Sequence, residues 1–328
     1  MRIAMLHSNE DTIRLFKFIV TELGFNMCWS CQSPEKAINL CNSDRPDLLL
    51  IQLDLESCNT SSLIQQIMSS TPTTVIVISN SIKQNPGEIF DAMSAGALDA
   101  FTEPSTDNPD HLNDLKNKIS NIKKLHDSEL KIRNVKSTSC VKTTPLVAIG
   151  ASTGGPAALL TILRQLPKDN SAVWVIIQHM DHQFSQGMAT WLNDQIDIKV
   201  ETALDNQAPK LGHVYLASTN DHLIINKRGR FEYTNIPVDY PYRPSVDVFF
   251  ESALTHWPHK LIGVLLTGMG RDGANGLLSF YNRGMLTIAQ NKTSCAVYGM
   301  PKAACELNAV SVQLDINQIA DEIIKNLG

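Results

Sequence analysis

The stretch LVAIGASTGGPAALLTIL, residues 146–163, joins an apolar run to an amphipathic run through a turn that contains three glycines. The run LVAIG is typical of a buried strand, and the apolar spacing after Pro156 is typical of a helix. Glycines let the backbone bend sharply and let another group approach closely. The stretch therefore predicts a strand–turn–helix unit of an α/β fold, and it raises the question of what Ser152 does in the turn.

The same alternation continues towards the C-terminus. Further strands are predicted at AVWVIIQ, IKVETA, HVYLA, LIGVLL and MLTIA, and further helices at GMATWLND, SVDVFFESALTHW and GANGLLSFYN. HLIINKRGRFEY is typical of a hairpin, with KRGR as its turn. Strands that alternate with helices in this way predict a parallel sheet.

Towards the N-terminus, residues 2–104 repeat the pattern in five units. Strands are predicted at RIAMLH, FNMCWS, DLLLIQL, TTVIVIS and ALDAFTE, with a helical run after each of the first four. Several of these strands are apolar throughout rather than alternating, which favours a sheet that is covered on both faces. The chain is therefore expected to be α/β, with two doubly wound parallel-sheet domains.

Between the two patterns, residues 110–132 carry apolar side chains at helical spacing, and the polar, basic stretch that follows has no periodicity. We predict a helix and a linker there. The expected limits are 1–106 for the first domain, 107–143 for the helix and linker, and 144–328 for the second domain. A chain of 328 residues is long enough for two domains.

Composition restricts the function classes. The net charge of −5 argues against a general nucleic-acid-binding protein, and the sequence contains no run of 18 apolar residues that would span a membrane. The N-terminal residues are not typical of a signal peptide, and the seven scattered cysteines favour reduced thiols. We therefore expect a cytoplasmic protein that does not insert into the membrane. Cys28 and Cys31 have the spacing of a redox pair, but three residues apart on a strand they would face opposite sides.

The glycine-rich turn fits a nucleophile better than a phosphate site. It lacks the lysine of a P-loop, and GASTGG does not match the glycine spacing of a dinucleotide fingerprint. Ser152 instead lies between a strand and a helix, as in a nucleophile elbow, and Gly154 lies two residues after it. The amides at the start of the helix would stabilise a developing oxyanion. The alternative is a structural role, in which Ser152 only caps the helix.

A serine nucleophile needs a base and an orienting acid. His179 follows the strand AVWVIIQ, and Asp272 follows the strand LIGVLL, so both are expected at the carboxyl edge of the sheet with Ser152. Two alternatives stay open for these residues. His179 and His182 could form a metal pair, although no third ligand has obvious spacing, and Asp272 could cap the helix after Gly273.

Five segments make the assignment more specific: IGASTGGPAALLTIL, IIQHM, YRPSVDVFF, LTGMGRDGANG and TIAQNKTSCAVYGMPKAA. Together they resemble the catalytic domain of the chemotaxis protein-glutamate methylesterases, the CheB family, over residues 144–328. The resemblance implies a Rossmann-like methylesterase domain without a cofactor. It also implies hydrolysis of glutamate γ-methyl esters on the cytoplasmic domain of methylated chemoreceptors, and deamidation of receptor glutamines.

Carried over residue by residue, the resemblance assigns Ser152 as the nucleophile, His179 as the general base and acid, and Asp272 as the orienting carboxylate. It assigns the amides of Thr153 and Met269 to the oxyanion hole. Arg243, in YRPSVD, is assigned either to substrate binding and site shaping or to a structural ion pair.

The first domain resembles the receiver of this family in its pattern but not in its chemistry. Phosphorylation of a receiver requires an acceptor aspartate, carboxylates that hold Mg²⁺ and a lysine that pairs with the phosphate. The acceptor position falls on Gln52, the acidic pair on His7 and Ser8, and the lysine on Glu103. Only the hydroxyl position is kept, as Ser79.

We therefore predict a pseudo-receiver that is not phosphorylated and that covers the active site or binds a chemosensory histidine kinase or another regulatory protein. A shifted phosphorylation pocket built from Glu10, Asp11 and Asp54 is the alternative. For the whole chain, the alternatives to a methylesterase are a catalytically weak protein that docks on receptors or kinases, and a serine hydrolase with another acyl substrate.

Overall fold

The computed structural model describes residues 1–55, 58–79, 86–103 and 144–327. Its contacts divide the chain into two compact units, Met1–Ser128 and Glu129–Gly328. Each unit contains a parallel sheet with helical connections, which confirms the predicted fold class. The helix predicted over residues 110–132 and the linker after it lie outside the described residues, so the domain limits given above stay a prediction.

The sheet of the first unit has five parallel strands in the order β2-β1-β3-β4-β5. The strands are β1 (Arg2–Leu6), β2 (Asn26–Cys31), β3 (Leu48–Gln52), β4 (Thr74–Ser79) and β5 (Ala97–Thr102). The helices are α1 (Glu10–Glu22), α2 (Pro34–Ser43), α3 (Thr60–Ser70) and α4 (Pro86–Ser94). Every side chain of β3 is buried, as expected for a strand that is covered on both faces.

Local capping explains where the first helices begin. The side chain of Asn9 accepts hydrogen bonds from the amides of Asp11 and Thr12 at the start of α1. Ser33 caps α2 and Pro34 opens it, as is typical of the start of a helix. Both cap residues come shortly after a strand. The polar residues around them therefore lie at the carboxyl edge of the sheet.

The sheet of the second unit has seven strands in the order β14-β13-β12-β6-β7-β9-β8, all paired in parallel. They are β6 (Leu146–Ala151), β7 (Val173–Gln178), β8 (Val200–Thr202), β9 (Val214–Leu216), β12 (Leu261–Leu265), β13 (Leu286–Gln290) and β14 (Val312–Leu314). The predicted hairpin is present as β10 (His222–Ile225) and β11 (Phe231–Thr234).

The helices of this unit are α5 (Gly155–Leu163), α6 (His182–Gln195), α7 (Val246–His256), α8 (Ala274–Asn282), α9 (Met300–Glu306) and α10 (Ile316–Lys325). The sequence analysis did not predict β14, α9 or α10. α9 has only seven residues, which are too few for a helical periodic signal, and the three residues of β14 are only half-buried and contain no apolar run. The signal for α10 was present, because Asp315 and Gln318 form a capping box.

The position of β6 decides where a site can form. This first strand of the unit lies between β12 and β7, so the chain leaves it in one direction and later returns to its other side. In open parallel sheets, ligands bind beyond the carboxyl ends of the strands at such a switch point. The residues that follow β6, β7 and β12 are therefore brought together by the topology.

Cys28 and Cys31 on β2 are free thiols that contact different backbone groups. The Cys28 thiol donates to the Ile3 carbonyl at 3.2 Å, and the Cys31 thiol to the Ser33 carbonyl at 3.7 Å. Burial raises the pKa of Cys31 to about 11, which disfavours the thiolate that redox exchange requires. This geometry favours structural cysteines over a redox pair.

Candidate active site

Ser152, His179 and Asp272 lie beyond the carboxyl ends of β6, β7 and β12. The His179 amide donates to the Ala151 carbonyl at 2.9 Å, so Ser152 and His179 lie side by side on neighbouring strands. The Ser152 amide donates to the Thr267 carbonyl at 3.1 Å, which joins the serine to the strand on its other side. The three predicted residues therefore come from three adjacent strand ends.

His179 and Asp272 form a direct pair. The distance from His179 Nε2 to Asp272 Oδ2 is 2.7 Å, and the exposed fractions of the two side chains are 10% and 1%. Because the ionised carboxylate only accepts hydrogen bonds, the neutral imidazole carries its proton on Nε2 and presents a lone pair at Nδ1. Nδ1 is buried and has no hydrogen-bond partner among the described residues, so it is available as a base.

The Asp272 carboxylate accepts hydrogen bonds from five groups. Oδ2 accepts from His179 and from the Val246 amide at 2.7 Å, and Oδ1 from the Ser245 hydroxyl at 2.8 Å and the Asp247 and Gly273 amides at 3.1 Å. Two of these amides belong to the first turn of α7, where the helix dipole favours a negative charge. The carboxylate is therefore held rigidly in the ionised form.

The electrostatics of Asp272 follow from these contacts. Its burial favours the protonated form and is the largest single influence on its pKa. The hydrogen bond and charge of His179, together with the amides of Val246 and Asp247, outweigh burial and lower the pKa. Asp272 is therefore a carboxylate at neutral pH, as an orienting group for an imidazolium must be.

The alternative that Asp272 only caps the helix after Gly273 does not fit its surroundings. Gly273 is itself the N-terminal cap residue of α8, and the Gly276 amide in the first turn of that helix donates to Asp247 Oδ1 at 2.7 Å rather than to Asp272. The carboxylate of Asp272 instead faces His179 and the start of α7. Its contacts tie together two different helices and the imidazole.

The glycine turn is shaped by close packing. Gly154 has a φ of +77°, in the left-handed region that favours glycine, and a Cβ there would lie 2.6 Å from Cβ of Ala296. Gln178, the last residue of β7, donates from Nε2 to the carbonyls of Ser152 (2.9 Å) and His179 (3.1 Å). One side-chain amide therefore fixes the backbone of both residues relative to each other.

Gly268 allows the chain after β12 to approach Ser152. A Cβ at this position would lie 2.7 Å from Cβ of Ser152 and 3.1 Å from its amide nitrogen. The Gly268 carbonyl accepts from the amides of Gly299 and Met300, at the start of α9. The amides of Thr153 and Met269, which flank these contacts, donate no hydrogen bond to the described residues. They are available for an oxyanion.

The structure also reveals residues that the sequence analysis missed. The ring of Tyr242 stacks on the His179 imidazole, with centroids 4.6 Å apart and an angle of 1° between the planes. Ser245 donates to Asp272, and Gln178 holds the turn. Tyr242 and Ser245 lie in the quoted segment YRPSVDVFF, so the segment signalled the region but not their roles.

Arg243 lies between Tyr242 and Ser245, and its guanidinium donates to the Val238 carbonyl. Within the part of the chain that the structure describes, it forms no ion pair with a carboxylate. His182 begins α6, and its Nδ1 lies 3.0 Å from Asp181 in an exposed position. Among the described residues there is no group of three or more His, Cys, Asp or Glu that could hold a metal ion.

At the carboxyl edge of the first unit's sheet, the polar side chains are of other types and make other hydrogen bonds. Gln52 Oε1 accepts from the Ser8 amide and hydroxyl, both at 2.8 Å. Glu103 accepts from the hydroxyl of Thr12 and lies 3.7 Å from Nε2 of the buried His7. Gln52 and Glu103 are therefore engaged by neighbouring side chains, whereas His7 Nε2 and Ser79 Oγ are buried without a hydrogen-bond partner among the described residues.

The alternative acidic pocket is not assembled in this structure. Glu10 and Asp11 each lie 3.6 Å from Arg14 on the exposed face of α1. Asp54 is exposed, and its carbonyl accepts from Gln52 Nε2 at 3.2 Å. The two acids of α1 are thus engaged by a cation on their own helix.

In the described part of the chain, no helix is long and apolar enough to cross a membrane.

Comparisons with known proteins give one consistent result. The sequence profile described as CheB methylesterase matches residues 147–323. A protein-glutamate methylesterase/protein-glutamine glutaminase 2 from Cupriavidus metallidurans is 41% identical over 334 residues, which cover 100% of this chain and 99% of the relative. A protein of the same type from Burkholderia lata is 43% identical and covers 90% of each chain.

Among solved structures, the CheB methylesterase catalytic domain of Thermotoga maritima is 34% identical, with a TM-score of 0.53, and it covers 56% of this chain and 99% of its own length. The Cupriavidus alignment also includes the first unit, whose strand order 2-1-3-4-5 is that of the response-regulator receiver fold. Both halves of the molecule lead to the same assignment: the chain belongs to the CheB methylesterase family.

Proposed function

We propose that this protein hydrolyses glutamate γ-methyl esters on the cytoplasmic domain of chemoreceptors, with Ser152, His179 and Asp272 as its catalytic triad. The observation that carries the proposal is the His179–Asp272 pair, which leaves a buried, unpartnered Nδ1 on a residue whose amide bonds to Ala151, directly before Ser152. The relatives are named protein-glutamate methylesterases, which supports the ester as substrate.

In the first step, the Ser152 hydroxyl attacks the γ-carbonyl carbon of the ester. The serine proton moves to Nδ1 of His179, and Asp272 stabilises the resulting imidazolium through Nε2. The tetrahedral intermediate collapses as Nδ1 returns the proton to the methoxy oxygen. Methanol leaves, and the glutamate side chain remains as an acyl ester on Ser152.

In the second step, a water molecule attacks the acyl carbonyl and His179 again accepts the proton. The intermediate releases Ser152, which recovers its proton from Nδ1, and the product is a free glutamate carboxylate. In both steps the amides of Thr153 and Met269 donate to the negative oxygen, because both lack other acceptors among the described residues.

Deamidation of glutamine is a second reaction of the same site. The relatives are named as glutaminases as well as methylesterases, and attack on a γ-amide gives the same acyl-enzyme with ammonia as the leaving group. Arg243 is proposed to bind or shape the site for the receptor segment, because its position directly follows the ring that stacks on His179.

The first domain, residues 1–106, is proposed to act as a pseudo-receiver without phosphorylation, joined by residues 107–143 to the catalytic domain, 144–328. It would bind a chemosensory histidine kinase or another regulatory protein, and the protein would work in the cytoplasm, where the receptor domains lie. The amide at Gln52 and the carboxylate at Glu103 support this proposal, because neither performs the receiver function of its position.

The test is methanol release from isolated membranes that carry methylated receptors. We expect the full-length protein to release methanol and the Ser152→Ala variant to lose about 10⁴-fold or more in rate. Ser69→Ala, at an exposed serine of α3, is the matched control and should retain full activity. Methanol release by Ser152→Ala within tenfold of wild type would remove the nucleophile assignment.

Two further outcomes separate the alternatives. Receptor binding without methanol release would favour a docking protein. Hydrolysis of small generic esters at rates that match receptor hydrolysis would favour a serine hydrolase with another substrate.

A further inference from the structure

The face of His179 is covered by one aromatic side chain. The Tyr242 ring lies parallel to the imidazole, with an angle of 1° between the planes and 4.6 Å between the centroids. We propose that Tyr242 is a positioning residue of the active site: its ring fixes the plane of the His179 imidazole, so that Nε2 stays on Asp272 and Nδ1 stays free for Ser152. This inference rests on the proposed function and deepens it.

A single hydrogen bond does not fix an imidazole ring. The Nε2–Asp272 bond sets one direction, but the ring can still tilt about that direction, which would swing Nδ1 away from the serine. A flat surface in van der Waals contact removes this freedom, because the imidazole cannot tilt without colliding with it. Catalytic side chains have to be held within about 0.5 Å and 10–20° of the working geometry, and a misplacement of about 1 Å can cost about 100-fold in rate.

The Tyr242 ring is itself held in place. Its other end lies against Gly270, where a Cβ would contact the phenol oxygen and lie 3.2 Å from Cζ. Gly270 has a φ of +88°, so both its conformation and this contact favour glycine. Three residues further along, Ser245 donates to Asp272. One short segment therefore supports both the imidazole and the carboxylate of the triad.

The ring, rather than the hydroxyl, carries this role. The Tyr242 hydroxyl makes no hydrogen bond with the residues that the structure describes. Burial, with a smaller contribution from the Asp272 charge, raises the pKa of Tyr242, so the phenol is neutral at the pH of the reaction. A neutral ring adds no second charge beside the imidazolium that forms during acylation.

The experiment compares Tyr242→Phe, which keeps the ring, with Tyr242→Leu and Tyr242→Met, which remove it. The first readout is the rate at which a small fluorophosphonate modifies Ser152, followed by intact mass. The expected rate for Tyr242→Phe is within about twofold of wild type, and for the other two about 10–100-fold slower. With methylated receptor, the loss should lie in kcat, with KM changed by about twofold or less.

The second readout is the low-field proton resonance of His179 Nε2–H, which needs no substrate. It should persist in Tyr242→Phe and broaden by exchange in the variants without the ring. Tyr281→Leu is the control for loss of a half-buried tyrosine elsewhere in the unit, and it should leave both readouts unchanged.

Wild-type rates and an unchanged resonance in Tyr242→Leu and Tyr242→Met would overturn the inference. Tyr242→Phe as slow as Tyr242→Leu would overturn it as well, because the hydroxyl would then be the working group. Failure of the proposed function looks different: wild type itself would form no adduct at Ser152, while the resonance would still report whether Tyr242 positions the imidazole.

Discussion

In both units polar residues lie at the carboxyl ends of the central strands of the parallel sheet. The two units differ in which of these polar groups are hydrogen-bonded. At the edge of the second sheet, five donors converge on Asp272, and the structure leaves His179 Nδ1 and two backbone amides without partners. At the edge of the first sheet, Gln52 is engaged by Ser8, and Glu103 by Thr12.

The difference shows what the parallel sheet provides and what it does not. In both units it brings polar side chains from several strands to one edge. Chemistry then depends on which groups remain unsatisfied and how rigidly they are held. The second edge keeps His179 Nδ1 and two backbone amides unpaired, whereas the first edge keeps His7 Nε2 and Ser79 Oγ unpaired and has neither a carboxylate at position 52 nor a lysine at position 103.

After Ser152→Ala, the largest effect is expected from Asp272→Asn, which removes half of the acceptor that orients His179. In Asp272→Asn, the side-chain NH₂ must face either His179 and the Val246 amide or the three donors on Oδ1, because all five groups donate. We expect a loss of about 10³–10⁴-fold in kcat together with a lower thermal midpoint. Methanol release and thermal unfolding of the same sample measure both. Near-normal turnover with lower stability would mean that Asp272 only joins two helices.

A smaller loss is expected when the serine is displaced. In Gly268→Ala, the new methyl group would press on Ser152 and on Met300 Sδ, and we expect about a 100-fold loss in kcat/KM. Gly87→Ala in α4 is the matched control, because a Cβ there contacts nothing within 4 Å. Equal activities of the two variants would show that the close contact between Gly268 and Ser152 does not determine the position of the serine.

The next prediction concerns the first unit alone. Burial lowers the pKa of His7, although Glu103 opposes this, so the unfolded chain binds a proton more readily than the folded one. The unit should therefore lose stability as pH falls below about 6.5, the ordinary pKa of histidine. We expect its melting temperature to fall by about 2–5 °C between pH 7 and 5.

The indole resonance of Trp29, whose Nε1 donates to the Asp44 carbonyl, reports melting of this unit within the full chain. His7→Gln should flatten the pH dependence between pH 7 and 5. An unchanged slope in that variant would assign the dependence to other groups.

The smallest effect is expected from a phosphodonor. Acetyl phosphate with Mg²⁺ should leave methanol release unchanged and add no phosphoryl group, because the acceptor, metal-binding and lysine positions hold Gln52, His7, Ser8 and Glu103. Gln52→Asp alone should not restore the response. Methanol release and phosphopeptide mapping check both statements, and a stoichiometric acyl phosphate at Asp54 that activates the enzyme would make the shifted pocket the better description.

The sequence was informative where a pattern repeats or a motif has a mechanism. Apolar strands, the helix cap at Ser33 and the positions of Ser152, His179 and Asp272 at three strand ends could all be predicted, because each depends on local order or on topology. The stack of Tyr242 on His179 could not, because it depends on a loop of irregular structure. Of the five donors around Asp272, His179 was predicted, but the contacts from Ser245 and from the first turn of α7 were not, because they depend on how that helix packs against the residues after β12.

Asp272 accepts hydrogen bonds from the first amides of α7. These bonds link the proposed catalysis to local unfolding of the helix. Any opening of the first turn of α7 withdraws the Val246 and Asp247 amides from the carboxylate and releases the group that orients His179. The fraction of molecules able to react therefore equals, at most, the fraction in which this turn is closed. A covalent acyl group on Ser152 that favours the closed turn would in return slow hydrogen exchange at these two amides. With the proposed role of Asp272, the stability of this helix start would set an upper limit on activity.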